Sequence, residues 1–389
     1  MSEWREISLG EFVGLQRGHD LTDGERSPGH VPVMGSAGMN GYHDTAKAKG
    51  PGVVVGRSGA SFGQVHYCAA DYWPHNTALY VTDFRGNDTR FTYYFLKAID
   101  FTRYNSGSAQ ASLNRNFIYP IPLRVPEASE QRAIASVLGA LDDKIELNRR
   151  MNETLEALAQ SLFKSWFVDA TQSALPKGWR EVPLPEAIEV NPSCPLRKGA
   201  VAPYLDMANM PTRSARALEV IDREFGSGMR FMDGDTLVAR ITPCLENGKT
   251  CFVDFLSEGK VGWGSTEYIV LRPKPPLPPE FAYFLARTDE FRAFAISNMT
   301  GTSGRQRVPA NCLNNFTVAV PPPELAEKFG QFAHAVFAQM KAHDAESRTL
   351  AALRDALLPK LLSGELRLPS QGFGTTGVPA AAKLTEATA

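Results

Sequence analysis

Trp4-Arg5-Glu6-Ile7-Ser8-Leu9-Gly10-Glu11 returns later in the chain as Trp179-Arg180-Glu181-Val182-Pro183-Leu184-Pro185-Glu186. Tyr94-Phe95-Leu96 returns as Tyr283-Phe284-Leu285, and Asn116-Phe117 as Asn315-Phe316. A repeat this long is a duplicated domain, since solenoid repeats recur every 20–50 residues or so. The order is unit, helix, unit, helix. It predicts an α+β molecule with two similar globular units on two long helices, related by a pseudo-two-fold axis.

The helices carry the clearest local signal. Ile134, Leu138, Leu141, Ile145, Asn148, Asn152, Leu155, Ala159, Leu162 and Trp166 follow an unbroken 4-3-4-3 spacing. The same seam returns as Phe329, Ala333, Val336, Met340, His343, Ser347, Leu350, Arg354, Leu357 and Leu361. Apolar residues at heptad spacing predict a coiled coil. Each helix of about 40 residues would be roughly 60 Å long at 1.5 Å per residue. The polar interruption falls at one place in both copies, Asn148/Asn152 and His343/Ser347. Antiparallel pairing would bring these centres together and fix the register. Arg354 fits the seam least well, with Leu353 one position away.

These signals divide the chain into a first globular unit (1–122), a central helix (123–170), a second unit (171–318), a distal helix (319–368) and a disordered tail (369–389). Short strands are expected at Pro51–Arg57, Gln64–Tyr67 and Ala78–Val81. Asp235–Arg240 and Tyr268–Leu271 are their counterparts in the second unit. Phe91–Ile99 reads as a helix, Asn116-Phe117 as a strand, and the proline-rich stretch Pro273–Pro279 as a stiff loop. Tyr93, Tyr94, Phe95, Tyr283 and Phe284 have core spacing.

Composition excludes several classes. No apolar run reaches the roughly 18 residues of a membrane span, and the N-terminus lacks a signal core. The five cysteines form no CxxC pair, which points to a reduced cytoplasmic protein without a zinc site. The net charge is −1, with 12 Lys/Arg against 11 Asp/Glu in residues 1–125 and 17 against 16 in residues 175–318. Nucleic-acid contacts would have to come from local patches, and a partner would have to supply further positive surface.

Catalytic motifs fail one by one. Asn191-Pro192-Ser193-Cys194 is the nearest approach to the (D/N)PP(Y/F) clamp of an adenine methyltransferase, and it lacks the second proline and the aromatic. There is no GxxxxGK(S/T) phosphate loop and no HxxxH pair. Asp142-Asp143-Lys144 mimics part of a nuclease site but reads as a solvated helix face. No catalytic residue and no metal site is expected.

The residues suited to reading base edges sit in Gly-rich loops between apolar strands. In the first unit they are Arg57, Ser58 and Gln64, then Gln110, Ser112, Asn114 and Arg115. In the second they are Arg240, Asn247 and Lys249, then Arg305, Gln306 and Arg307. Arginine pairs bidentately with guanine, and Gln or Asn with adenine. The bland alternative is that the arginines tie down acidic neighbours.

The chain resembles the DNA-specificity (S) subunit of type I restriction–modification systems over roughly residues 4–368. The resemblance rests on Gly178–Leu184, Gly52–Gly59 with Trp73–Thr77, Gly107–Asn114, Glu130–Ala135, Leu141–Asn148, Phe163–Phe167 and Leu358–Glu365. It implies two target-recognition domains, each reading one half of a split site in double-stranded DNA. It also implies antiparallel helices that hold the domains a fixed distance apart. Those helices would dock two DNA adenine methyltransferase subunits and, beyond them, restriction motor–nuclease subunits. Cofactors would then be absent from this chain, with S-adenosylmethionine and ATP/Mg on the partners. The competing readings are a coiled-coil scaffold without a DNA role and a chain with methyltransferase chemistry of its own. The second unit departs from the first where Arg240-Ile241-Thr242-Pro243-Cys244 replaces the Arg57-Ser58-Gly59 turn, as expected if the two halves read different sequences.

Overall fold

The computed structural model of the chain describes residues 4–107, 111–302 and 304–368. Gln110 and the tail lie outside the described residues. The contacts divide the chain into two compact units, the described parts of Met1–Ile145 with Ser347–Ala389, and Glu146–Glu346. The division cuts across the helices. Helix Ala128–Phe163 gives its first half to the first unit and its second half to the other, and helix Pro323–Ser363 does the reverse.

The first unit contains β1 (Arg5–Ser8), β2 (Gly14–Arg17), β3 (Val31–Gly35), β4 (Gly38–His43), β5 (Gly52–Gly56), β6 (Val65–Cys68), β7 (Trp73–Pro74), β8 (Ala78–Asp83) and β9 (Pro122–Val125). The repeated Trp-Arg-Glu segment forms β1, which pairs antiparallel with β9. Ser8 then caps a single helical turn in a reciprocal box with Glu11. The main sheet has the order β2-β8-β5-β6, and a smaller one the order β4-β3-β7. Every residue of β5 is buried, as the continuous run Gly-Val-Val-Val-Gly demands of a central strand.

The second unit contains β10 (Arg180–Pro183), β11 (Ile188–Val190), β12 (Val201–Leu205), β13 (Ile221–Glu224), β14 (Met229–Met232), β15 (Thr236–Ala239), β16 (Thr250–Phe252), β17 (Val261–Gly264), β18 (Tyr268–Pro273) and β19 (Thr317–Val320). It repeats the plan: β10 pairs with β19, and the main sheet runs β11-β18-β15-β16. The smaller sheet gains one strand, in the order β13-β12-β17-β14. The parallel pair β3–β7 has its counterpart in β12–β17.

The helices pair antiparallel within each unit. In the first, Glu130 meets Arg367 at 3.2 Å and Asp142 meets Arg354 at 2.6 Å. In the second, the rings of Phe163 and Phe329 lie 5.5 Å apart. There the Asn152 amide donates to the Met340 carbonyl and to Asp344, and the Asn148 amide to the His343 carbonyl and to Glu346. His343 Nδ1 lies 2.8 Å from Asn152 Oδ1. The polar centres therefore meet, as the heptads predicted. Arg354 is indeed a seam residue: it is half-buried, and Leu353 is 47% exposed.

Three expectations change. Arg115–Ile118 is a helical turn capped by Asn114, so Asn116-Phe117 is not a strand, and Phe117 is 60% exposed. Asn315 likewise ends a 3-10 turn, Ala310–Asn315. Near the end of the central helix, Phe163 and Phe167 are fully buried while Leu162 and Trp166 are half-buried. The seam thus steps from Ala159 to Phe163, and a π-helical turn follows at Lys164–Val168. Of Asp142-Asp143, only Asp143 lies on a solvated face, at 68% exposure. Asp142 accepts from Tyr94 Oη at 2.6 Å, and Asp143 pairs with Arg90.

Tyr94 is fully buried on helix Thr89–Lys97, whose N-terminus is capped by Asp88. In the second unit the matching Tyr283 Oη donates to Glu156 on the central helix. Tyr94→Phe and Tyr283→Phe should each lower stability by about 1–3 kcal/mol, because each strips a donor from a carboxylate, half-buried at Asp142 and buried at Glu156. Urea unfolding measures this, and an unchanged midpoint would show that these bonds do not hold the domains to the helix.

Candidate DNA-reading surfaces

In both units the two predicted loops are brought together by the same main-chain links. At the end of β5, Arg57 N donates to Thr77 O at 2.8 Å and Leu113 N donates to Arg57 O at 2.8 Å. At the end of β15, Arg240 N donates to Glu267 O at 3.0 Å and Val308 N to Arg240 O at 2.8 Å. Isolated bridges follow one residue on, Ser58 with Ser112 and Ile241 with Arg307. Gly56 permits the tight turn, since a Cβ there would lie 2.2 Å from the Ser61 carbonyl oxygen.

The side chains on this frame differ. In the first unit Arg57, Ser112, Asn114 and Arg115 line one cleft of about 840 Å³. Arg57 Nη1 reaches the Asn76 carbonyl at 3.3 Å, and Arg115 Nη1 the Leu15 carbonyl at 2.9 Å. Asn114 Oδ1 caps the following turn through Asn116 N. Ser58 and Gln64 do not line the cleft. The Ser58 carbonyl accepts from Ser36 Oγ, and Gln64 is exposed at the entry to β6. The cleft also takes in Arg17, His19 and Asp20, which follow β2. Sequence reading missed them because no repeat or glycine-rich pattern marks that turn.

In the second unit a carboxylate enters. Glu267 accepts from Arg307 Nε at 2.8 and 3.0 Å and stands 3.6 Å from Arg240 Nε. The Lys249 ammonium donates to the Met207 and Ala208 carbonyls. Arg240, Lys249 and Arg307 are thus held by their own chain. The Gln306 carbonyl accepts from Thr242 N. Asn247 and Arg305 are exposed, and among the described residues Arg305 shows no side-chain hydrogen bond. Among the described residues, no group of three or more His, Cys, Asp or Glu is placed to hold a metal.

The model of the type I restriction modification DNA specificity domain matches residues 1–157. The type I restriction enzyme EcoEI specificity subunit of Escherichia coli is 31% identical over 170 residues, 42% of this chain and 28% of that protein. The MjaIX specificity subunit of Methanocaldococcus jannaschii is 24% identical over 309 residues, 72% of this chain and 69% of that one. Over these stretches the chain is similar to type I DNA-specificity subunits. The fold agrees: the S subunit of a type I system from M. genitalium superposes with a TM-score of 0.56 at 17% identity, covering 92% of this chain and 96% of the other. The first relative is matched over little more than a quarter of its length.

The two units hold their arginines differently. Arg305→Ala should leave the urea midpoint within about 0.5 kcal/mol of the parent, as for an exposed side chain. It should weaken discrimination at one base pair by about 1–3 kcal/mol. Arg307→Ala should instead lower stability, because it strips Glu267 of its closest cation. Unfolding and binding measured side by side decide; the reverse pattern would make Arg307 the reader and Arg305 the tie.

Proposed function

We propose that this chain is the non-catalytic, sequence-specific subunit of a type I restriction–modification complex, reading a bipartite DNA site with one domain per half. The single observation that carries this reading is the shared main-chain frame. The same two links join two loops in each unit, Leu113 to Arg57 and Val308 to Arg240, while the side chains they present diverge. A constant frame with variable polar side chains is what two readers of different sequences need.

The chain would act in the cytoplasm; no described helix is long and apolar enough to cross a membrane. The chemistry would lie on its partners: two adenine methyltransferase subunits carrying S-adenosylmethionine, and motor–nuclease subunits using ATP and Mg. A docking face for a partner helix is available on the central helix. Leu147, Met151 and Leu158 are exposed there, at 50%, 37% and 54%, on one stripe with Thr154. Their 4-3-4 spacing suits a further amphipathic helix.

The decisive experiment maps the methylated motif made by the assembled complex, then exchanges the first domain for that of another specificity subunit. One half-site should change and the other should stay. A chimera that alters both halves, or a complex that makes no split motif, would defeat the reading. Leu147→Ser combined with Leu158→Ser should weaken capture of the methyltransferase by about tenfold or more, since apolar anchors dominate such interfaces. Unaltered capture in a pull-down titration would place the partner elsewhere.

A further inference from the structure

The cleft of the first unit is lined by three arginines, Arg17, Arg57 and Arg115, and by one carboxylate, Asp20. An arginine lining serves phosphates as readily as bases, but an acidic side chain repels phosphates. Asp20 is nevertheless positioned with care. Its Oδ1 accepts from the Asn76 amide and, at 3.1 Å, from Arg17 Nη2. Its Oδ2 has no partner among the described residues, and its side chain is 73% exposed. The Asn76 amide, with Arg17 beside it, holds the carboxyl below the usual carboxylate range. One oxygen therefore fixes the group while the other is left as a pure acceptor on a residue that lines the cleft.

A pure acceptor recognises a donor. In the major groove the base-edge donors are the exocyclic amines, N4 of cytosine and N6 of adenine. We propose that Asp20 is a specificity-determining residue of the first domain, accepting a hydrogen bond through Oδ2 from the exocyclic amine of a cytosine or adenine in its half-site. This rests on the DNA-reading function proposed above and adds a residue that sequence reading did not reach. Asn76 is its positioning residue: its amide orients Asp20, and its carbonyl accepts from Arg57. The second unit has no match, because β11 runs on into Asn191-Pro192-Ser193.

The test uses the full chain assembled with its methyltransferase subunits, on a DNA library randomised across both half-sites. Asp20→Asn should relax one base position of the first half-site by about tenfold or more, toward adenine if the wild type reads cytosine. The second half-site should stay as it was. Affinity for random duplex should stay level or rise, because a negative charge has left the cleft. Asn76→Ala, which frees the carboxylate without removing it, should relax the same position more weakly and serves where Asp20→Asn folds poorly. A motif unchanged by both variants overturns the proposal. So does weakening spread evenly over the first half-site with a lowered melting temperature, which would make Asp20 a structural tie. A wild-type complex that methylates no split motif overturns this inference together with the function it rests on.

Discussion

Two carboxylates on one helix, Asp142 and Glu156, tie that helix to the globular domain packed beside each of them. Each takes the hydroxyl of a buried tyrosine from the domain packed beside it, Tyr94 in the first unit and Tyr283 in the second. A carboxylate taken out of water needs several partners. Asp142 has Arg354 as well as Tyr94. Burial pushes the Glu156 carboxyl up, against the opposing pull of Tyr283, Arg287 and the Ala215 amide. Either domain could leave its helix only by stranding such a group. The loops that follow β5 and β15 inherit their positions from this attachment, because Tyr94 and Tyr283 belong to the same cores as those strands.

On this support the main chain and the side chains play separate parts. The links from Arg57 and Arg240 to their neighbouring loops are made by backbone groups, so they survive any change of side chain. Matching positions can then diverge. Thr77, whose carbonyl takes Arg57 N, corresponds to Glu267, whose carbonyl takes Arg240 N. A threonine leaves Arg57 without a carboxylate, whereas Glu267 engages Arg307 and approaches Arg240. The shared frame thus sets a carboxylate between two arginines in the second unit and none beside Arg57 at the matching position.

The parts legible in the sequence are those set by periodicity. The repeated Trp-Arg-Glu segment became β1 and β10 in the same pairing, and Arg354, the weakest fit to the heptads, proves half-buried where its neighbour Leu353 is exposed. The polar centre was legible because Asn148, Asn152 and His343 interrupt an otherwise apolar register. Misreadings arose where local pattern and tertiary demand conflict. Asn116-Phe117 looks extended, but the Asn114 cap starts a helical turn there. Burial moves onto Phe163 and Phe167 around the π turn at Lys164–Val168 without any mark in the heptad. Asp142 read as solvated because nothing local announces Tyr94, some 50 residues earlier in the chain. Asp20 was invisible for the same reason, since its cleft partners Asn76 and Arg115 are brought to it only by the sheet.

The charge pattern has a consequence for selectivity. Attraction to phosphates grows with every unpaired cation and is indifferent to sequence. Hydrogen bonding to base edges depends on geometry and is strict about sequence. In the second unit Glu267 removes Arg307 from the first kind of interaction, and in the first unit Asp20 offsets Arg17. A DNA reader built this way gives up general affinity and keeps discrimination. The missing affinity has to come from cations on another chain. On the proposed function, DNA engagement and assembly with the methyltransferase are then one event, because neither the near-neutral readers nor a sequence-blind partner would hold a single site alone.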